Sequence, residues 1–291
     1  MAEGVKTWAE GAERMTDQSR FMPNTDPFRM GPDKAVFIAS WKVGYQQDPG
    51  NRKEQQDCVG FAVGESRGKP VLLAVLADGM GGMKNGADFS RIAVSYHCEH
   101  FQEMLDQVRT APGILLSLAL RANTEANRIY NEDHPGGTTL ISALFTDEYF
   151  HILSIGDSRI TLFRKAGRTI GYVPLQMNRD HVLGAALDER AWMGYISHDD
   201  AEGNIFRHSL TSSIGPRKVR RIDFTDYPTR LLKGDRLMLS SDGIYKTVPE
   251  PELAAYMEDD PTRASCRIIQ EVKSRDAKDQ DNMSVLIVQR V

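Results

Sequence analysis

VLLAVLADGMGG, residues 71–82, runs seven apolar residues into an aspartate and a glycine-rich turn. A short apolar run closed by Asp-Gly reads as a β-strand that ends in a turn. The pattern of an aspartate at the edge of a strand-like run recurs in NRKEQQDCVGFAV (51–63), DRLMLSSDG (235–243) and DQDNMSVLIV (279–288). Taken singly, Asp78 and Asp242 are explained by the preference of Asp-Gly for hairpin turns. Taken together, Asp57, Asp78, Asp242 and Asp281 fit a binuclear metal cage better than four unrelated turns. Carboxylates from the first and last thirds of the chain would then meet in space.

Working outward, strand-like runs appear at AVFIASWKVGY (35–45), CVGFAV (58–63) and VLLAVLA (71–77), separated by Gly, Pro and Asp. Two helices are expected next. The first spans about 87–108, with Phe89, Ile92, Ala93 and Tyr96 at i, i+3, i+4 and i+7. The second begins near Pro112, which suits a first helical turn, and carries Leu115, Leu118, Ala119 and Ala122 on one face. TTLISALFT (138–146), YFHILSIGD (149–157) and RITLFRK (159–165) read as a meander, its first two strands joined by a turn at Asp147 and Glu148. A polar, irregular stretch over 178–216 precedes strands at RRIDFTDY (220–227), DRLMLSS (235–241) and MSVLIVQRV (283–291), with a helix over 262–273. Strands, two helices, then strands again argue for helices packed outside antiparallel sheets.

The chain has 291 residues and 41% hydrophobic content, enough for a sizeable core. A net charge of -4 and scattered Lys and Arg give no basic stripe for phosphate-backbone binding, so nucleic acid is not expected as a partner. Three widely spaced cysteines, Cys58, Cys98 and Cys266, fit neither a disulfide framework nor a Cys-x-x-Cys metal site, which points to a reducing compartment. The opening MAEGVKTWAEGAER lacks the apolar stretch of a secretory signal, and the run 71–77 is far short of the roughly 18 residues that span a bilayer. A soluble, cytoplasmic monomer that makes no membrane contact is expected. Residues 1–34 show no sustained period and read as an amino-terminal extension to a domain over 35–291.

ADGMGG, GGTT (136–139), GDSR (156–159), SSDG and DQDN occur in one chain, and in this order and spacing the sequence resembles the metal-dependent protein phosphatase family of type 2C, closest to its bacterial branch. The resemblance runs from about residue 35 to 291. It includes Gly50, Arg52, Gln55, Gln56 and Asp57 at the positions of the family's opening segment, with Gln55 where Asn is usual. The fold it implies is an α+β, four-layer α/β/β/α sandwich of two antiparallel sheets flanked by helices, with the site at one end.

The resemblance also assigns roles. Asp57 ligates one metal, Asp78 bridges two, the Gly79 carbonyl contributes an oxygen, and Asp242 with Asp281 holds the other metal. Asp157 in SIGDSR, with Asp242, takes a third, weaker ion. All-oxygen ligation suits Mn²⁺ or Mg²⁺, two per site, rather than zinc, for which His or Cys would be recruited. The implied reaction is hydrolysis of phosphoserine or phosphothreonine on proteins by a water or hydroxide bridging the two ions, in opposition to a Ser/Thr kinase. Arg52 is the phosphate clamp and, with Asp78, the catalytic pair. Met80 stands where animal-type members carry a histidine acid, so another group must protonate the leaving oxygen. Met83 and Ala87 replace the His and Glu of many bacterial members, and residues 188–215 correspond to a flap in which no docking motif stands out. A catalytically weak relative that binds phosphoproteins or a regulatory partner is the alternative, and loss of metal aspartates would mark it.

GGTT lacks the lysine of a phosphate-binding loop and reads as a tight turn into a strand. His97 and His100 read as helix-borne imidazoles without a catalytic role. His181 reads as functional or as a loop tie, Asp180 as a candidate helix cap, and Arg159 as functional or structural.

Overall fold

The computed structural model describes residues 36–80, 85–167, 171–215 and 218–291. The extension 1–34, Met83 and the glycines at 81 and 82 lie outside the described residues.

In chain order the elements are β1 (Val36–Ile38), β2 (Trp41–Asp48), β3 (Asp57–Ser66), β4 (Lys69–Asp78), α1 (Gly86–Glu99), α2 (Phe101–Gln107), α3 (Ala111–Ile129), β5 (Leu140–Thr146), β6 (Tyr149–Ile155), β7 (Arg159–Lys165) and β8 (Tyr172–Gln176). There follow α4 (Leu183–Trp192), α5 (His198–Glu202), β9 (Asp223–Phe224), β10 (Thr229–Arg230), β11 (Arg236–Ser240), α6 (Asp242–Tyr245), α7 (Glu250–Leu253), a 3₁₀ turn (Ala254–Glu258), α8 (Pro261–Ser274) and β12 (Met283–Arg290). One sheet has the order β1-β2-β12-β11-β7-β8. The other has β10-β6-β5-β4-β3, with β9 also on β6. Every pairing is antiparallel.

The four layers follow from side-chain alternation. On β4, Val71, Leu73, Val75 and Ala77 face α1 and α3, while Leu72, Ala74 and Leu76 face the opposite sheet. On β12, Leu286 and Val288 fill the space between the sheets, and Met283, Val285 and Ile287 meet α8. Both faces of these central strands are buried, which explains why their sequences are nearly continuous in apolar residues. The layers are therefore α1–α3, a sheet, a sheet, and α8, in agreement with the expected sandwich.

Close approach of α8 to its sheet depends on Gly44, where a Cβ would run into the backbone of Pro261 and Thr262. Gly44→Ala is expected to lower stability by about 1–3 kcal/mol through overpacking. Urea denaturation checks this, and an unchanged midpoint would show that α8 can step away at no cost.

Several local expectations are corrected. The first apolar run is a hairpin turned at Ala39, φ +50°, rather than one strand. The single helix over 87–108 is two, parted at His100 (φ -100°, ψ 6°). Beyond the break, the Gln102 side chain exchanges hydrogen bonds with both the N–H and the carbonyl of Glu65 and ties α2 to the end of β3. RITLFRK does not continue the meander: β5 and β6 pair, but β7 crosses to the other sheet beside β11. The polar stretch over 178–216 holds α4 and α5, and RRIDFTDY yields only the two-residue β9.

Candidate metal centre

Strand register brings the aspartates together. Asp57 opens β3, Asp78 closes β4, and the two are paired directly across the ladder. In the other sheet Ser240, the last residue of β11, pairs with Arg159 of β7 and Val285 of β12. Asp242 lies two residues after Ser240, Asp157 two before Arg159, and Asp281 two before the start of β12. All five carboxylates therefore emerge at one end of the sandwich, from both sheets. Asp242 is not in a hairpin turn but is the first residue of α6.

The loops carrying them are stitched across the sheets by Asn282. Its Oδ1 accepts from the Gln56 N–H at 2.7 Å, and its Nδ2 donates to the carbonyls of Pro49 and Glu54 at 2.9 and 3.0 Å. Gly50 completes the seam: at φ +60° it sits against the Asp281 carbonyl, where a Cβ would collide. Arg52 is thereby placed beside the cluster, its Nη2 donating to Asp281 Oδ2 at 2.9 Å. The Gln55 side-chain oxygen accepts from the Asp57 N–H at 3.0 Å, so the substitution for Asn keeps a local acceptor.

Thr138 and Thr139 grip Asp78. The Thr139 N–H and the Thr138 hydroxyl donate to the Asp78 carbonyl at 2.9 and 2.8 Å, and the Asp78 N–H donates to Thr139 Oγ1 at 2.9 Å. GGTT does lead into β5, but as extended chain in which Thr138 bridges Gly79 and Ile214 rather than as a tight turn, and its threonines have this second task, which no local pattern signalled.

Electrostatics at this end are unfavourable to charge. Both Asp57 carboxylate oxygens are buried without a well-formed hydrogen bond, although Ser241 and Ser284 stand beside them. Burial, with Asp242 adding repulsion against the help of those hydroxyls, pushes the Asp57 pKa up to about 7. Asp78 is raised well above the usual carboxylate range, first by burial and then by Asp57, Asp242, Asp157 and Asp281. Asp157 is raised to about 6, again by burial and Asp242. A divalent cation relieves this clustering of desolvated like charges. The donor set is all oxygen, and the orphaned Asp57 oxygens fit a hard cation. Among the described residues no three His, Cys, Asp or Glu side chains form an ion-holding group as they stand. Asp281 carries Arg52, and Asp242 carries Lys246 at 2.5 Å. Burial opposes the Lys246 charge, but Asp242, Asp157 and Asp78 outweigh it and hold its pKa above the ordinary lysine value.

Around the cluster the remaining candidates make structural contacts. Arg159 bonds both Asp180 oxygens (3.2 and 2.7 Å) and Glu250 (2.7 Å), and its guanidinium lies 3.8 Å over the Tyr245 ring. Asp180 is thus an ion-pair partner rather than a helix cap, the cap residue of α4 being Val182. His181 ties loops: its Nδ1 accepts from the Gly156 N–H and its Nε2 lies 3.4 Å from Asp223. His97 is fully buried, bonded to the Ala93 carbonyl, and burial lowers its pKa to about 4. His100 stacks on Tyr96 and meets Glu103. His97 therefore matches the reading of a helix-borne imidazole, whereas His100 lies at the break between α1 and α2.

A cleft of about 380 Å³ opens beside the cluster, lined by Asp157, Arg159, Asp180, Arg207, His208 and Lys246 among others. From the segment 188–215 it is lined by Asp188, Arg207 and His208, and elsewhere in that segment Trp192 (82%), Ile205 (85%), Tyr195 and Phe206 stand exposed. The sequence reading saw only mixed charge in this flap and missed its apolar surface.

Two stacked sheets between helical layers, with acidic loops gathered at one end, define an α/β/β/α sandwich of the phosphatase type. A family model described as protein phosphatase 2C matches residues 51–275, and the chain belongs to that family. Among curated relatives, the serine/threonine phosphatase Stp of Listeria monocytogenes is 26% identical over 253 residues, covering 84% of this chain and 94% of its own. The protein phosphatase PhpP of Streptococcus pneumoniae is 29% identical over 214 residues, covering 72% and 80%. The catalytic domain of the serine/threonine protein phosphatase PstP, solved in complex with two manganese ions, superposes with a TM-score of 0.65 at 22% identity, over 86% of this chain and 98% of that one. At that identity the likeness is one of fold.

Proposed function

We propose that the chain hydrolyses phosphoserine and phosphothreonine esters on proteins, with two Mn²⁺ or Mg²⁺ ions held by Asp57, Asp78, the Gly79 carbonyl, Asp242 and Asp281. The observation that carries this reading is the meeting of these carboxylates from both sheets at one end, with the Asp57 oxygens buried and without a well-formed hydrogen bond. When bound there, the ions supply a water of lowered pKa and neutralise charge on the phosphoryl group. The chain's own residues do the rest. Asp57 and Asp78 are held rigidly by the β3–β4 ladder and the GGTT threonines, so the site is preorganised. Arg52, half-exposed and held among the described residues by a solvent-facing pair with Asp281, can exchange that carboxylate for phosphate oxygens.

The exposed apolar side chains of segment 188–215, a segment that reaches the cleft through Asp188, Arg207 and His208, favour a protein substrate over a small phosphate ester. The same reading places a monomeric enzyme in the cytoplasm, opposite a Ser/Thr kinase, with residues 35–291 as the catalytic domain and 1–34 as its extension. Among the described residues no helix is long and apolar enough to cross a membrane.

Phosphate release from phosphoserine, phosphothreonine and phosphotyrosine peptides, with manganese, magnesium or chelator, tests the proposal. Metal-dependent release from the first two is expected. Release that persists in chelator, or that favours phosphotyrosine, would contradict it. Arg52→Ala is expected to raise KM more than it lowers kcat, by about 10-fold, as for a group gripping phosphate in ground and transition states alike. An unchanged KM would remove Arg52 from the site.

A further inference from the structure

Lys246 carried no weight in the sequence reading, yet it sits at the junction of two of the acidic loops. Its Nζ lies 2.5 Å from Asp242 Oδ2 and 3.8 Å from Asp157 Oδ2. The placement is built from both sides. Lys246 is four residues after Asp242, and its N–H donates to the Asp242 carbonyl at 3.0 Å, so one helical turn returns the side chain to the carboxylate it follows. Asp157 is fixed by the Tyr245 hydroxyl, which donates to its carbonyl at 2.9 Å, while Arg159 covers the Tyr245 ring. The two loops that carry these carboxylates cannot drift apart without breaking this bond.

A third ion in the family pattern would need Asp157 and Asp242. In this chain those carboxylates already share a positive charge that is part of the polypeptide. An ammonium tethered in the turn is present at effectively unit occupancy, whereas a weakly held ion must be drawn from solution against it. A divalent cation arriving there would also face the like charge of Nζ at close range. Of the carboxylates assigned to the binuclear site, Asp242 is paired with Lys246, while Asp57, Asp78 and Asp281 make no ion pair with it.

We infer that Lys246 is a resident cation that takes the place of a third divalent ion between Asp157 and Asp242, so that this chain loads two ions rather than three. The inference rests on the metal-centre reading above and concerns stoichiometry, which can fail independently of it. Its consequence is that charge at this edge of the cleft is fixed by the sequence and does not vary with metal supply.

Manganese binding by equilibrium dialysis, with the free ion followed by electron paramagnetic resonance, tests this on the full chain without any activity readout. The wild type is expected to bind two ions. Lys246→Gln and Lys246→Met are expected to expose a third, weaker site, and adding Asp157→Asn to either should remove it. Lys246→Arg should keep the count at two. Lys246 is half-exposed, so these variants are expected to fold, and circular dichroism verifies it. Three ions in the wild type, or a count that stays at two in both neutral variants, would overturn the inference. A wild type that binds no manganese would overturn the metal centre itself, and this inference with it.

Discussion

Asp78→Asn is expected to lower phosphate release by about 10³-fold or more, the loss of roughly 4 kcal/mol of transition-state stabilisation. The same substitution is expected to raise the melting temperature of the metal-free protein. The two effects have one cause. Asp78 is pressed by burial and by four neighbouring carboxylates, which makes its charge costly in the absence of a cation and valuable in its presence. Asparagine keeps the shape and the backbone contacts to Thr138 and Thr139, since these involve the Asp78 carbonyl and N–H. A variant both inactive and more stable is the signature of a residue retained for function. Thermal denaturation in chelator and a phosphopeptide assay measure the two halves. An inactive variant that is also less stable would mark Asp78 as structural.

The second large effect is a dependence of metal stabilisation on pH. Asp57 has a folded pKa raised to about 7 from an ordinary carboxylate value. A group raised in this way contributes stability in full below its unfolded pKa, and loses that contribution as pH rises through the folded value. The metal-free protein should therefore lose stability from this group between roughly pH 4 and 8, on the order of 2–4 kcal/mol at the alkaline end. A cation replaces the proton. The gain in melting temperature on adding manganese is expected to be several degrees larger at pH 8 than at pH 6, where the ion must first displace protons. His97, with a pKa lowered to about 4, acts in the opposite direction. Below the ordinary histidine value it destabilises the fold as pH falls, but with and without metal alike, so it cancels in the difference. A metal-induced shift that is equal at both pH values would show that Asp57 is not a proton-competing ligand.

What the sequence disclosed follows physical lines. The four layers came from the family resemblance, while the residues' own signal was helices outside antiparallel sheets, and the apolar runs of β4 and β12 are explained by their burying both faces. The candidate aspartates were legible because each adjoins a strand end, and register does the rest: Asp57 against Asp78, Ser240 between Arg159 and Val285. The break at His100 was not legible, because the apolar stripe continues through it and the interruption arises from tertiary clamping of Gln102 to Glu65. Nor were the roles of Thr138, Thr139 and Asn282, which hold the site through hydrogen bonds between residues tens to hundreds of positions apart. Lys246 carried a faint signal, the i, i+4 spacing from Asp242, but that spacing has meaning only once residues 242–245 are helical. Asp180 was only a candidate cap in the sequence, since its partner Arg159 lies on another element.

The central claim is that aspartates from two sheets form a binuclear cation site at one end of the sandwich. Anomalous diffraction at the manganese absorption edge, from crystals grown with manganese, tests it most directly. The account predicts two peaks, bounded by Asp57, Asp78, Gly79, Asp242 and Asp281, with the Lys246 ammonium in the position between Asp157 and Asp242. Peaks absent from that end, or a lone ion held by other residues, would contradict it.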